Sequence, residues 1–299
     1  MSRFIRRMIA IALFAALLTA RPGFSADMIK IGYIDPLSGA FAQQGDASLQ
    51  HFSYLLDIIN AEGGALDKKF EIVSYDSKLQ PAEALIALSS IIDQNISFVM
   101  QCAGSNVGAA LIDSVSKHNA RNPDHRILYL NCGALASDLT NEKCDFWHFR
   151  FDANTGQRAA TLVRALPKEV KSVYLLNQDY LFGQTLQRET REQLQALRPD
   201  IKLVGEEFIP LGKVKDFSPY ISKIKGSGAR VLITGNWGPD LNLMLKSAVE
   251  SGLPIDFYTY LSHVVGAPTA TGPSGENRLF TVTEFHPNVP VEAPNSPAT

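Results

Sequence analysis

Apolar residues recur along this chain in two alternating rhythms, short β-branched runs and longer stretches with a helical repeat. Residues 29–34 (Ile-Lys-Ile-Gly-Tyr-Ile) read as a strand stopped by Asp35-Pro36, and Ser38-Gly39 turns the chain. A helix follows, with Ala47, Phe52, Leu55, Leu56 and Ile59 on one face and 60–64 as its stop signal. Residues 70–75 form a second strand, and Pro81 opens a helix whose inner face is Leu85, Leu88, Ile91 and Ile92. The stretch 96–108 reads as a buried strand running through a Gly-Ser turn into a helix, and 127–131 is a fourth strand. Residues 147–151 look like a connecting strand, after which the alternation starts again. Helices are predicted at 154–166, 181–197, 220–225 and 241–251, and strands at 173–177, 203–208, 231–234 and 257–260, with a second connecting strand at 279–283.

Strands alternating with amphipathic helices imply parallel sheets covered on both faces, because a parallel crossover needs a dozen or more residues. The chain therefore predicts two successive α/β units of similar build. Ligands bind such sheets beyond the carboxyl ends of the strands, where Ser38, Ser105 and Gly133 fall. The tail from 287 carries Pro287, Pro290, Pro294 and Pro297 and reads as linker or disorder.

A length of 299 residues fits about two domains. Residues 1–26 stand apart: Arg3, Arg6 and Arg7 precede an apolar run from Met8 to Leu18, with small residues at Ala20 and at Ser25-Ala26. This is the pattern of a secretory signal peptide, cleaved after Ala26 or after Ala20, with an apolar run well short of a membrane span. Its removal leaves 24 basic and 30 acidic residues, a net charge of −6, so nothing basic remains to track a nucleic acid. Of the three cysteines at least one stays unpaired. Cys102 and Cys132 each close a predicted strand and can bridge if those strands are neighbours, which would leave Cys144 free.

The turn before Ser105 is the main candidate for binding chemistry. The first amides of a helix lack intrahelical partners and carry the positive end of its dipole, so a carboxylate or phosphate can be held there by backbone, with Ser105 at the N-cap adding its hydroxyl. The plainer alternative is that Ser105 only caps its own helix. Catalytic signatures are missing: there is no G-x-G-x-x-G after a strand, no G-x-x-x-x-G-K-[ST] and no H-E-x-x-H. Ala103-Gly104-Ser105-Asn106-Val107 lacks the flanking glycines of a nucleophile elbow, and the six histidines show no ligand spacing. No enzyme, cofactor or metal is expected.

With these features in hand, the chain resembles the periplasmic solute-binding proteins of ABC importers, specifically the branched-chain amino-acid (leucine-binding) type. The resemblance rests on Ile29-Lys30-Ile31-Gly32 leading to Leu37-Ser38-Gly39 and Ala42-Gln43-Gln44-Gly45, on Ile59-Asn60-Ala61-Glu62-Gly63-Gly64 and on Tyr75-Asp76. Phe182-Gly183 and Asp216-Phe217 extend it over nearly the whole exported chain. It implies a type I periplasmic binding fold: two doubly wound parallel-sheet lobes joined by a hinge, 27–148 with 284–299 and 149–283, closing on a small solute and docking on an inner-membrane ABC permease. The implied protein is a periplasmic monomer without chemistry of its own.

By the same resemblance, Ser105, with Ala103 and Gly104 beside it, falls where the family holds the ligand carboxylate. Gly133 and Ala134 fall in the second loop of that lobe, Gln44 in the first loop, and Phe182 and Trp237 where the far lobe offers aromatic rings. Family members that bind amino acids place a hydroxyl and an acid around the ligand ammonium; here Leu135 and Leu261 fall at those positions. An ammonium facing two leucines would lose hydration without gaining a countercharge. With Tyr260 added, the expected pocket is apolar with one anionic end, suited to an aromatic acid rather than an α-amino acid. Gly212-Lys213-Val214-Lys215-Asp216-Phe217 and Gly235-Asn236-Trp237-Gly238 are also similar to members associated with aromatic acids. Branched-chain amino-acid binding, or a sensor subunit for a receptor, are the alternatives. Family members usually continue beyond the second connecting strand to complete the first lobe. The C-terminal part is thus expected to be truncated, exposing apolar surface and a sheet edge.

Overall fold

The structure, a computed structural model, describes residues 28–263 and 266–284. The predicted signal peptide 1–26, the tail from 287 and all but the first residue of 284–299 lie outside the described residues. The first lobe comprises strands β1 (Ile29–Asp35), β2 (Phe70–Asp76), β3 (Phe98–Gln101), β4 (Leu128–Asn131) and β5 (His148–Arg150) with helices α1 (Ala42–Ala61), α2 (Pro81–Asp93) and α3 (Ser105–Arg121). The second comprises α4 (Thr155–Ala165), β6 (Ser172–Gln178), α5 (Leu181–Leu197), β7 (Lys202–Ile209), α6 (Ser218–Ser227), β8 (Val231–Thr234), α7 (Gly238–Glu250), β9 (Asp256–Thr259), α8 (Ala267–Thr271) and β10 (Leu279–Thr281). The short α8 has no periodicity and was not predicted.

Each lobe is a parallel five-stranded sheet, in the order β2-β1-β3-β4-β5 and β10-β9-β8-β6-β7, so the second repeats the strand order of the first. The two connecting strands are sheet members: β5 pairs with β4 and β10 with β9. The chain crosses between lobes just after β5. Where it enters the second lobe, Asn154 and Gln157 form a capping box, each side chain taking the other's backbone N–H at 2.8 and 2.9 Å.

Sheet alternation decides what each face buries. In the second lobe Val173, Leu175, Val231, Ile233 and Tyr258 pack with α4 and α5, while Tyr174, Leu176, Leu232 and Phe257 pack with α6 and α7. In the first lobe Ile34, Val99 and Tyr129 pack with α2 and α3. Among the described residues the opposite face has only α1, which meets β1 through Tyr33 and Phe52. The inner face expected for α1 is therefore only half used, and Leu55 and Ile59 are exposed. Beyond α1 the register runs Phe98 beside Leu128 and Met100 beside Leu130 beside Phe149, and no described element covers this apolar stripe.

Candidate functional site

In each sheet the strand order reverses beside the first strand: β2 and β3 flank β1, and β7 and β8 flank β6. Open α/β sheets take ligands in the crevice at that reversal. Residues from both crevices line one cavity of about 260 Å³ between the lobes.

On the first-lobe side, β3 runs into Cys102-Ala103-Gly104 and then α3. The N-cap is Gly104, with φ of 91°, and Ser105 is the first helical residue, which corrects the expectation that Ser105 caps. Its hydroxyl is turned to the neighbouring loop, where Oγ accepts the Ala136 N–H at 3.2 Å. That leaves the Ser105 O–H proton to donate elsewhere. Other amides of these loops are already engaged. Asp35 Oδ1 accepts from Cys102 at 3.1 Å and Ala103 at 2.7 Å, and Asn131 Oδ1 from Gly133 at 3.1 Å and Ala134 at 2.8 Å. The amides of the first turn of α3, from Ser105 on, have no intrahelical acceptor.

The two loops are joined covalently. β3 and β4 are neighbours, and Cys102 and Cys132 form a disulfide with Cα atoms 4.5 Å apart; Cys144 is free and exposed. Beneath them Asp35 is pushed up to about 6, chiefly by burial, against the pull of the Tyr33 hydroxyl and the Ala103 and Cys102 amides.

On the second-lobe side, Phe182 in the first turn of α5, Trp237 before α7 and Leu261 after β9 line the cavity. Trp237 Nε1 donates to the Tyr180 hydroxyl at 2.8 Å, which fixes the indole orientation. Gln44, Ser48, His51 and Phe52 of α1 close another side.

Of the ten residues singled out from sequence, Gln44, Ala103, Gly104, Ser105, Gly133, Leu135, Phe182, Trp237 and Leu261 line this cavity. Ala134 does not; it is buried behind it. Tyr260 is also away from the lining, fully buried with its hydroxyl 2.9 Å from Thr190 Oγ1.

The wall is less apolar than expected, because the hinge adds Asp152, Arg158, His263 and Glu284. Arg158 is the largest fully buried side chain among the described residues. Its guanidinium donates to Ala153 O at 3.3 Å, Tyr260 O at 3.0 Å, Val282 O at 3.4 Å and the carboxylates of Asp152 and Glu284, both at 2.8 Å. A buried cation is tolerable only when paired in this way. Burial and the hydrogen bond to Asp152 raise the Glu284 carboxyl above its ordinary range, against the pull of Arg158. One sequence signal could have found this cluster: Arg158 occupies an inward position in the helical repeat Thr155, Arg158, Ala159, Leu162, Val163. Among the described residues no three His, Cys, Asp or Glu side chains group as a metal site.

The architecture is that of a two-lobed binding protein, and comparison with known proteins bears this out. The sequence profile of the periplasmic binding protein family matches residues 28–298, and the chain belongs to that family. It is 32% identical over 286 residues to Leu/Ile/Val-binding protein homolog 4 of Brucella abortus, covering 95% of this chain and 68% of that protein. The crystal structure of the leucine-, isoleucine-, valine-, threonine-, and alanine-binding protein from Brucella ovis in its closed conformation superposes with a TM-score of 0.74 at 31% identity, covering 83% of this chain and 64% of that one. A solute-binding protein of an ABC transporter from R. palustris, solved in complex with 4-hydroxybenzoate, superposes with a TM-score of 0.70 at 22% identity, covering 82% and 65%. The chain thus spans about two thirds of the length of these relatives.

Proposed function

We propose that this chain is the periplasmic solute-binding component of an ABC importer, taking a small carboxylate between two lobes, 27–148 with 284–299 and 149–283, that close by a hinge. The reading includes export directed by residues 1–26, a monomeric state, docking on an inner-membrane permease and no catalysis. One observation carries it: the cavity is bounded on one side by the α3 amide turn and the Ser105 hydroxyl, and on the other by Phe182, Trp237 and Leu261. An anion at that turn meets the positive end of the helix dipole and a donor whose oxygen is already satisfied by Ala136. Aromatic and aliphatic walls then favour a flat apolar body, so an aromatic acid is preferred over an α-amino acid.

A second reading, branched-chain amino-acid binding, is favoured by Asp152 and Glu284, which bring carboxylates to the hinge side of the cavity. Two properties weigh against an ammonium there. Arg158 already binds both carboxylates, and burial and the hydrogen bond to Asp152 raise the Glu284 carboxyl above its ordinary range.

Calorimetric titration with 4-hydroxybenzoate, coumarate and leucine tests the choice. Binding of an aromatic acid, weakened about 10- to 100-fold by Ser105→Ala through loss of a hydrogen bond to a charged group, is the expected result. Tight leucine binding without aromatic-acid binding would overturn the preference.

A further inference from the structure

One aromatic ring crosses the cleft. Phe41, in the turn between β1 and α1 of the first lobe, is buried within the apolar cluster of the second. Its ring centroid lies 4.6 Å from that of Trp237. Its edges lie against Gly212 and Gly238: a Cβ added there would stand 2.9 and 3.1 Å from the ring. Both glycines have positive φ, 67° and 59°, so backbone conformation and the close approach of Phe41 each disfavour a side chain. Asp240, buried in α7, holds this socket together. Its Oδ2 accepts the Gly212 N–H at 2.8 Å and Gln178 Nε2 at 2.7 Å, and the same Nε2 lies 3.2 Å from the Trp237 carbonyl.

We propose that Phe41 is the latch of the clamp: seated between Gly212, Trp237 and Gly238, it stabilises the closed arrangement through a contact between the lobes themselves and positions the Trp237 indole for the ligand. The inference rests on the hinge-closure reading given above. Leu79, Ala103 and Leu135 of the first lobe join the same apolar cluster, and Leu181 packs against that of the first lobe; further ties between the lobes are polar. Asn106 Oδ1 accepts the Leu181 N–H at 3.1 Å, Arg188 pairs with Asp138 at 3.0 Å, and Ser137 bonds Glu189. Ser137 also donates its N–H to Thr155 Oγ1 at 3.1 Å, which places its tie next to the hinge. Water can replace such bonds when the cleft opens, whereas the Phe41 ring would be exposed. Opening therefore costs burial that no ligand contact supplies. Apparent affinity scales with the fraction of molecules able to close, so a variant closed one tenth as often binds about tenfold more weakly.

The test is small-angle X-ray scattering of the ligand-free protein together with titration of an aromatic acid. Phe41→Ala is expected to enlarge the radius of gyration relative to wild type and to weaken binding about tenfold. Phe41→Leu, which keeps an apolar side chain, is expected to recover part of both; if the alanine variant does not fold, the leucine variant carries the comparison with wild type. Phe146→Ala, removing an exposed ring of the same lobe, is the control expected to change neither. A scattering profile unchanged by loss of the ring, or an enlarged profile with unchanged affinity, overturns the proposal. If wild type binds no carboxylate, the function proposed above fails, while the scattering comparison still decides whether Phe41 holds the lobes together.

Discussion

By strand register, Phe98, Met100 and Leu130 of the first lobe occupy the places that Val231, Ile233 and Tyr258 occupy in the second. The second-lobe trio is at most 6% exposed, because α4 lies beside α5 over that face. Beside α1 no described element takes the corresponding place. Phe149 is 49% exposed there, and Phe146 and Phe151 are more so. The first lobe is instead tied by the disulfide between the loops after β3 and β4, and none is described in the second. Identical strand order therefore does not imply identical sources of stability: one lobe relies on buried area, the other partly on a covalent link that limits its unfolded chain.

Four measurements would break or sharpen that contrast. The largest effect is expected from reducing the disulfide or replacing Cys102 and Cys132 by alanine. The bridge closes a loop with a sequence separation of 30, so its loss should cost about 3–4 kcal/mol. Denaturant unfolding followed by calorimetry should then show the first lobe melting separately and earlier; a single unshifted transition would remove the covalent half of the comparison. Next comes a matched pair of leucines. Leu175→Ala, in the fully buried core of the second lobe, is expected to cost about 3 kcal/mol in urea unfolding, whereas Leu130→Ala, on the uncovered face, should cost less than about 1.5. Equal costs would mean that the first-lobe face is covered in solution.

The third measurement uses pH, and its direction follows from two buried groups of the first lobe. Asp35 is pushed up to about 6, so the folded state holds its proton more tightly than the unfolded chain, and stability is lost as pH rises through that value. His148 is pulled down to about 4, mainly by burial and then by Arg150, so the folded state resists protonation and stability is lost as pH falls below the ordinary imidazole range. The two oppose each other between about pH 4 and 6.5. In Asp35→Asn the compensation disappears, and stability should fall on acidification from pH 7 to 5 more steeply than in wild type, by roughly 1 kcal/mol. Thermal midpoints across that range give the slope, and parallel curves would refute the assignment. The smallest effect is expected from Phe149→Lys, within about 0.5 kcal/mol of wild-type stability. Its gain should be in solubility, read as reduced light scattering at high concentration.

Much of this protein was legible from local pattern. The strand at 231–234 and the helix at 181–197 match the structure residue for residue, and the strand–turn–helix at Ser105 forms as expected and lines the cavity between the lobes. These depend on near neighbours: alternation sets strand faces, and a glycine turn after a strand sets a helix start. The part that failed involved distance. Leu55 and Ile59 follow a correct helical repeat but have no partner covering them among the described residues, and no repeat can state what lies opposite. Likewise the cavity was expected to be greasy because Leu135 and Leu261 stand in its loops, while its charged edge comes from the hinge.

Sequence alone therefore determined the order and kind of the elements, the two-lobe repeat and the family, because short-range periodicity and ordered motifs encode them. Tertiary structure decided the rest. Arg158 meets Glu284 across 126 residues, Phe41 finds its glycine socket in the other lobe, and among the described residues one sheet face has no element over part of it. Each depends on where the fold brings distant segments together, which is a property of tertiary packing and leaves no period in the chain.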